Sequence, residues 1–217
     1  MVEAVIFDMD GLMFDTEPIW TDVWAPILAD LGFEYPHGLA NAVRGTSGKS
    51  MDAVINRFIP EVDASEVRVR AYARVHEIVM QGVPKKPGLD ELLAYLKEQQ
   101  IPLAVASSSA LDVIESNLTN GNVREYFEHL FSGNGMANPK PAPDIFLNAA
   151  EAIGANPANT LVLEDSLSGV HAGVDGGFIT VMVPDLIAPD DYAREHAACI
   201  CNNLIEVRDA LASGKLG

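Results

Sequence analysis

Short apolar runs that empty directly into polar residues constrain this chain more than any other feature. Glu3–Phe7 runs into Asp8, Pro102–Ala106 into three serines, and Thr160–Leu163 into Glu164-Asp165-Ser166. Further runs cover Phe178–Val183 and Ala198–Ile200. Continuous apolar runs of this length read as strands buried on both faces, which is how the strands of a parallel sheet look. Helical spacing fills the gaps at 88–98, 110–118, 143–153 and 166–175. Strand–helix alternation of this kind predicts an α/β fold with a doubly wound parallel, Rossmann-like sheet.

One block breaks the rhythm. Ile19, Trp20, Val23, Trp24, Ile27, Leu28 and Leu31 recur at spacings of three and four, which predicts a helix over 17–32. Asp63-Ala64-Ser65-Glu66 opens a second long helix that runs to Met80. No strand pattern interrupts this stretch. The expected organisation is therefore an α/β core from residues 1–14 and 83–217, with 15–82 inserted as an all-helical cap. Hydrophobic residues make up 48% of the chain, ample for a core. No apolar run reaches the ~20 residues a membrane span requires. The start of the chain lacks the basic segment of a signal peptide, so the expected location is the cytoplasm.

Open parallel sheets bind ligands beyond the carboxyl ends of their strands, so the polar clusters there should converge. They supply the carboxylates Asp8, Asp10, Glu164 and Asp165, and the hydroxyls of Ser107, Ser108 and Ser109. Lys140 joins them from the rigid Asn138-Pro139-Lys140-Pro141-Ala142-Pro143-Asp144 segment. Four crowded carboxylates repel one another unless a cation lies among them. An all-oxygen ligand set suits Mg²⁺, which keeps waters and a phosphate oxygen beside a few carboxylates. Lys140 and Ser107 can then hold further phosphate oxygens, with Ser108 contributing backbone N–H at a helix start. The formal net charge of −17 argues against nucleic-acid and membrane partners. An anionic substrate therefore needs the local cations this cluster would gather.

In this order the residues resemble the haloacid dehalogenase superfamily, in the branch of beta-phosphoglucomutase and small sugar-phosphate phosphatases. The resemblance rests on Asp8-Met9-Asp10-Gly11, Asp15-Thr16-Glu17-Pro18, Ser107, Lys140 in KPAPDIF, and Glu164-Asp165-Ser166 with Gly169. It spans nearly the whole chain, cap position included. It implies that Asp8 is the nucleophile of a two-step phosphoryl transfer and that Asp10 is the general acid and base. Mg²⁺ would be held by Asp8, the backbone carbonyl of Asp10, Glu164 and Asp165. Glu164 has a second reading as an organiser of the ligand shell. Ser166 reads as a helix cap, and Asp15 as a support for the hinge into the cap.

Gly45-Thr46-Ser47-Gly48-Lys49-Ser50 looks like a phosphate-binding loop, but Val43 stands where the motif needs its first glycine and no strand precedes it. Similar proteins place a substrate-touching cap loop here, which makes Arg44 and Lys49 candidates for gripping the substrate; plain surface charge is the alternative. Trp24 reads as cap core. Trp20 stands where beta-phosphoglucomutases carry a histidine that couples cap closure to catalysis, and this favours a phosphatase over a phosphomutase. A catalytically silent phospho-ligand or partner-binding domain is the reading from another class. It has no use for both Asp8 and Asp10. The five histidines form no metal constellation, and Cys199 and Cys201 read as buried thiols in a reducing compartment. The expected protein is a monomer acting on a small phosphorylated metabolite.

Overall fold

The structure is a computed structural model that describes residues 2–44, 46 and 48–216, with only the backbone of Glu17. It divides into two compact units, residues 1–15 with 83–217, and residues 16–82. The chain opens with β1 (Ala4–Phe7) and passes into helices α1 (Glu17–Asp22), α2 (Trp24–Asp30), α3 (Leu39–Val43), α4 (Gly48–Phe58) and α5 (Ala64–Val79). It returns through α6 (Leu89–Glu98), β2 (Leu103–Ser107), α7 (Leu111–Asn120), β3 (His129–Ser132) and α8 (Asp144–Ala152). It closes with β4 (Thr160–Glu164), α9 (Leu167–Asp175), β5 (Ile179–Met182), α10 (Asp191–His196), β6 (Cys199–Ile200) and α11 (Leu204–Ala212).

The sheet of the first unit is parallel throughout, in the order β3-β2-β1-β4-β5-β6. The chain winds outward from β1 to β3, then crosses back to β4 on the other side of β1. That reversal is a topological switch point, where the connections diverge and leave a crevice at the strand ends. β1, β2 and β4 are buried along their whole length, as their unbroken apolar runs predict. Ile6, Ala104 and Val162 meet Phe146, Ala149 and Phe178 in one layer of the core.

Several elements depart from the expectation. The helix expected over 17–32 breaks at Val23 into α1 and α2. Pro26 explains the break: it has no N–H for the carbonyl four residues back, and its ring crowds that carbonyl. β3 carries no strand signal in the sequence because its four residues are only half-buried and show no apolar run. α10 and α11 were also missed. The other boundaries fall within a residue or two. Asp63 caps α5 by accepting from the N–H groups of Ser65 and Glu66, as the sequence suggests. In the Gly45–Ser50 segment, Gly45 and Ser47 lie outside the described residues; the element before it is the helix α3, not a strand. Cys201 is buried, but Cys199 is partly exposed, and the two free thiols lie 3.6 Å apart. No described helix is long and apolar enough to cross a membrane.

The connections to the helical unit leave and re-enter the first unit side by side. Asp15 N–H donates to Pro84 O at 2.9 Å, and Lys86 N–H to Met13 O at 2.8 Å. Lys86 Nζ then lies 2.7 Å from Asp185 Oδ1 and 3.6 Å from Asp15 Oδ1. Burial works against its charge, but the two carboxylates outweigh burial and hold the ammonium above the usual lysine range. Asp15 thus supports the outgoing segment through a lysine that also ties down the loop after β5. Removing that lysine leaves a largely buried Asp185 without its counter-charge. Lys86→Met is expected to cost about 1–3 kcal/mol, the penalty for leaving a buried polar group without its partner. Urea unfolding with an unchanged m-value checks it.

Candidate active site

The parallel ladders continue one residue past the strands and fix the polar positions there. Asp8 N–H donates to Leu163 O at 3.0 Å, Gly133 N–H to Ser107 O at 2.7 Å, and Val183 N–H to Glu164 O at 2.7 Å. Asp8, Ser107 and Glu164 therefore stand at the carboxyl ends of three adjacent strands, β1, β2 and β4. All three are buried. After Asp8 the chain turns tightly, with Gly11 N–H donating to Phe14 O at 2.9 Å. Gly11 has a φ of +80°, and a Cβ there would fall 2.3 Å from Asp165 Oδ2. Only glycine allows that turn and that approach.

Lys140 joins all three of these strands. Its Nζ lies 2.6 Å from Asp8 Oδ1, 2.7 Å from Glu164 Oε1 and 3.1 Å from Ala106 O. Three ammonium protons thus meet three acceptors, and the charge also sits 4.6 Å from the centre of the Phe146 ring. Burial works against the charge of this lysine, but the Asp8 and Glu164 carboxylates outweigh it and hold the ammonium above the usual lysine range. Glu164 Oε2 accepts from the N–H and the hydroxyl of Ser166, at 3.1 and 2.9 Å. Ser166 in turn caps α9 by accepting from Gly169 N–H at 3.1 Å. A Cβ on Gly169 would lie 1.8 Å from the Glu164 carboxyl, so the glycine makes room for the buried acid.

The carboxylates strain against one another. Burial pushes the Asp8 carboxyl up to about 7 against the pull of Lys140, with Glu164 and Asp10 adding repulsion. Asp165 is raised well above the usual range, first by burial and then by Glu164 and Asp8. Asp8, Glu164 and Asp165 each offer an oxygen, all within 4.8 Å of one another. Oxygen donors this close, pushed toward protonation, fit a hard divalent cation. Glu164 already takes Lys140 on one oxygen and Ser166 on the other, so its two readings as ligand and as shell organiser both keep a basis.

Asp10 faces the serine turn. Its Oδ2 accepts from Ser107 Oγ at 3.1 Å and from Ser109 Oγ at 2.7 Å. Nothing in the local pattern singles Ser109 out from the other two serines of its turn, and only the fold brings it to Asp10. Ser108 is exposed. Trp20, Arg44 and Lys49 belong to the helical unit. Trp20 packs against Trp24 and edge-on to Tyr72, with ring centres 6.1 and 5.2 Å apart. Trp24 is wholly buried, as expected of cap core. Arg44 donates to Asn41 Oδ1 at 2.6 Å and to Thr21 Oγ1 at 3.3 Å, and Lys49 is exposed. A groove of about 400 Å³ between Leu103, Tyr126, His129 and Ile153 lies at the amino ends of β2 and β3, away from this chemistry.

The model of the haloacid dehalogenase-like hydrolases matches residues 5–183, from the middle of β1 to just past β5. The chain belongs to the haloacid dehalogenase-like hydrolases. Hexitol phosphatase B of Escherichia coli (strain K12) is 32% identical over 193 residues, covering 87% of this chain and 86% of its own. A Drosophila melanogaster protein named a probable pseudouridine-5'-phosphatase is 36% identical over 196 residues, covering 85% and 82%. The crystal structure of CbbY from Rhodobacter sphaeroides in complex with phosphate superposes with a TM-score of 0.78 at 25% identity, over 95% of this chain and 96% of that one. This hydrolase is thus an enzyme of the phosphohydrolase type.

The raised Asp8 carboxyl gives the cation-free protein a pH dependence with a definite sign. Between the unfolded value near 4 and the folded value of about 7, the folded chain binds the proton more tightly. Stability should therefore rise as pH falls from 8 toward 6. In EDTA, the melting temperature is expected to be a few degrees higher at pH 6 than at pH 8, about 2–4 °C per kcal/mol for a chain of this size. Saturating Mg²⁺ should shrink the difference, and Asp8→Asn should reduce it to the part that the raised Asp165 contributes. Thermal melts at the two pH values check this.

Proposed function

We propose that this hydrolase is a Mg²⁺-dependent phosphatase that releases inorganic phosphate from a small phosphorylated metabolite, a sugar phosphate. The observation that carries the reading is the buried Asp8–Lys140 pair at the switch point, with Asp10 two residues further on. Asp8 attacks phosphorus in line and forms an aspartyl-phosphate. Asp10 gives a proton to the departing oxygen and then takes one from the water that hydrolyses the intermediate. Ser107 and Lys140 hold phosphate oxygens, each exchanging one of its present partners for the substrate, and Ser108 offers its backbone N–H. Asp8, the Asp10 carbonyl and Asp165 would hold a Mg²⁺ ion, with Glu164 among or behind the ligands, and the ion would supply positive charge beside the transferring group. Positioning and charge neutralisation then carry most of the rate.

The sugar-phosphate class is supported by the name of the E. coli relative, hexitol phosphatase B. Trp20, Arg44 and Lys49 are the proposed substrate-selecting residues of the helical unit, which serves as the cap. Trp20 lies in an aromatic cluster and carries no group that exchanges protons at neutral pH, which favours hydrolysis over the phosphomutase alternative. The reading takes the protein as a cytoplasmic monomer without nucleic-acid or membrane partners.

The test is phosphate release from a panel of sugar and small-metabolite phosphates, with wild type and Asp8→Asn, each in Mg²⁺ and in EDTA. Release in Mg²⁺ alone, lowered at least 10³-fold by Asp8→Asn, is the expected result. Interconversion of a sugar monophosphate without phosphate release would replace the phosphatase with the mutase. No turnover of either kind would leave a silent binding domain.

A further inference from the structure

The hydrogen bonds at Asp10 show a conflict of valence. Ser107 has one hydroxyl proton, and it points to Asp10 Oδ2. The same oxygen of Ser107 accepts the N–H of Ser109 at 3.0 Å. If Ser107 gives its proton to a phosphate oxygen, it cannot also hold Asp10. Asp10 would then lose a partner at the moment its aim matters most.

We infer that Ser109 is the positioning residue that keeps Asp10 aimed once Ser107 has turned to phosphate. Its hydroxyl makes the shorter of the two bonds, 2.7 Å against 3.1 Å. Its backbone is pinned on both sides. The N–H donates to Ser107 Oγ, and the carbonyl accepts from Ser132 Oγ at 2.6 Å. Ser132 stands at the end of β3, in register with Ser107 on β2, and its hydroxyl also accepts from Asn134 N–H at 3.2 Å. The end of β3 therefore anchors the residue that aims the carboxylate at the end of β1, two strands away. A serine serving only to shape its own turn would bond to nearby backbone. Ser109 instead reaches a residue 99 positions away in sequence.

This inference rests on the reading of Asp10 as general acid, and the experiment separates the two. The value of kcat/KM covers only steps up to departure of the leaving group. A sugar alkoxide leaves with a proton from Asp10, whereas p-nitrophenolate leaves without one. Phosphate release is measured from p-nitrophenyl phosphate and from the sugar phosphate turned over fastest in the panel. Ser109→Ala is expected to lower kcat/KM about 10- to 100-fold on the sugar phosphate, a part of the 10²–10⁴ that general acids contribute. On p-nitrophenyl phosphate the loss should stay below about threefold. Ser109→Thr, which keeps the hydroxyl, should recover most of the loss. Ser107→Ala should lower both esters, because it loosens the shared phosphate, with a further loss on the sugar phosphate because it also frees the Ser109 N–H.

Asp10→Asn is the control, with the same bias in larger measure. A biased Asp10→Asn beside an unbiased Ser109→Ala would overturn the inference and leave the reading intact. An unbiased Asp10→Asn, or no turnover of any ester, would overturn both. Should Ser109→Ala not fold, Ser109→Cys keeps the size, loses the strong donor and reads the same difference.

Discussion

The ammonium of Lys140 is the interaction on which the rest of this site depends. Its side chain is only 6% exposed, and a charge buried that deeply survives only with close partners. Asp8 and Glu164 are those partners, and without the lysine between them they would repel each other. Their closeness follows from the sheet: β1 and β4 pair with Phe7 opposite Leu163, so the next residue of each strand is an acid. A slip of one residue would turn one acid to the other face of the sheet. Strand register and charge balance are thus a single constraint. The lysine in turn is set by the segment leading into α8, whose Phe146 packs under it and into the core.

Much of this was legible in the sequence because it is written in local pattern. β1, β2 and β4 are buried on both faces, and burial of that kind leaves an unbroken apolar run. The acids at their ends stand out because they interrupt it. Where burial is partial, the signal fades. β3 has the sequence His129-Leu-Phe-Ser132 and no pattern to separate it from a loop. The break at Val23 is hidden for another reason, since the apolar stripe runs straight across it and only Pro26 betrays it. α11 did leave a sign: Asn203 accepts from Glu206 N–H, and Glu206 reaches back to Asn202 N–H, a capping arrangement visible as Asn203-Leu-Ile-Glu206.

What stayed illegible is the pairing of distant residues. Ser109 looks like its two neighbours until Asp10 is placed beside it. Gly169 enters the sequence reading only as part of the family resemblance, whereas the structure gives it a tertiary purpose, room for a buried carboxyl. Nothing in the local sequence separates Lys86 from Lys85, yet Lys86 reaches Asp185 while Lys85 pairs with Asp90. In each case the residue type is ordinary and the partner lies far along the chain. Local pattern carries burial and turn chemistry; it does not carry such partnerships.

The charge of the whole chain sharpens what the site must do. At −17 the protein repels a phosphate ester at long range. Locally, Asp8, Asp10, Glu164 and Asp165 face a single lysine whose three protons are already taken. Such a cluster cannot attract an anion by itself, and its raised carboxyls at Asp8 and Asp165 show the cost of holding it together. A divalent cation would resolve both difficulties at once. It would relieve the repulsion among the acids, and it would give the phosphate a positive charge to approach. The carboxylates that would turn an anion away would become the ligands that hold its counter-charge.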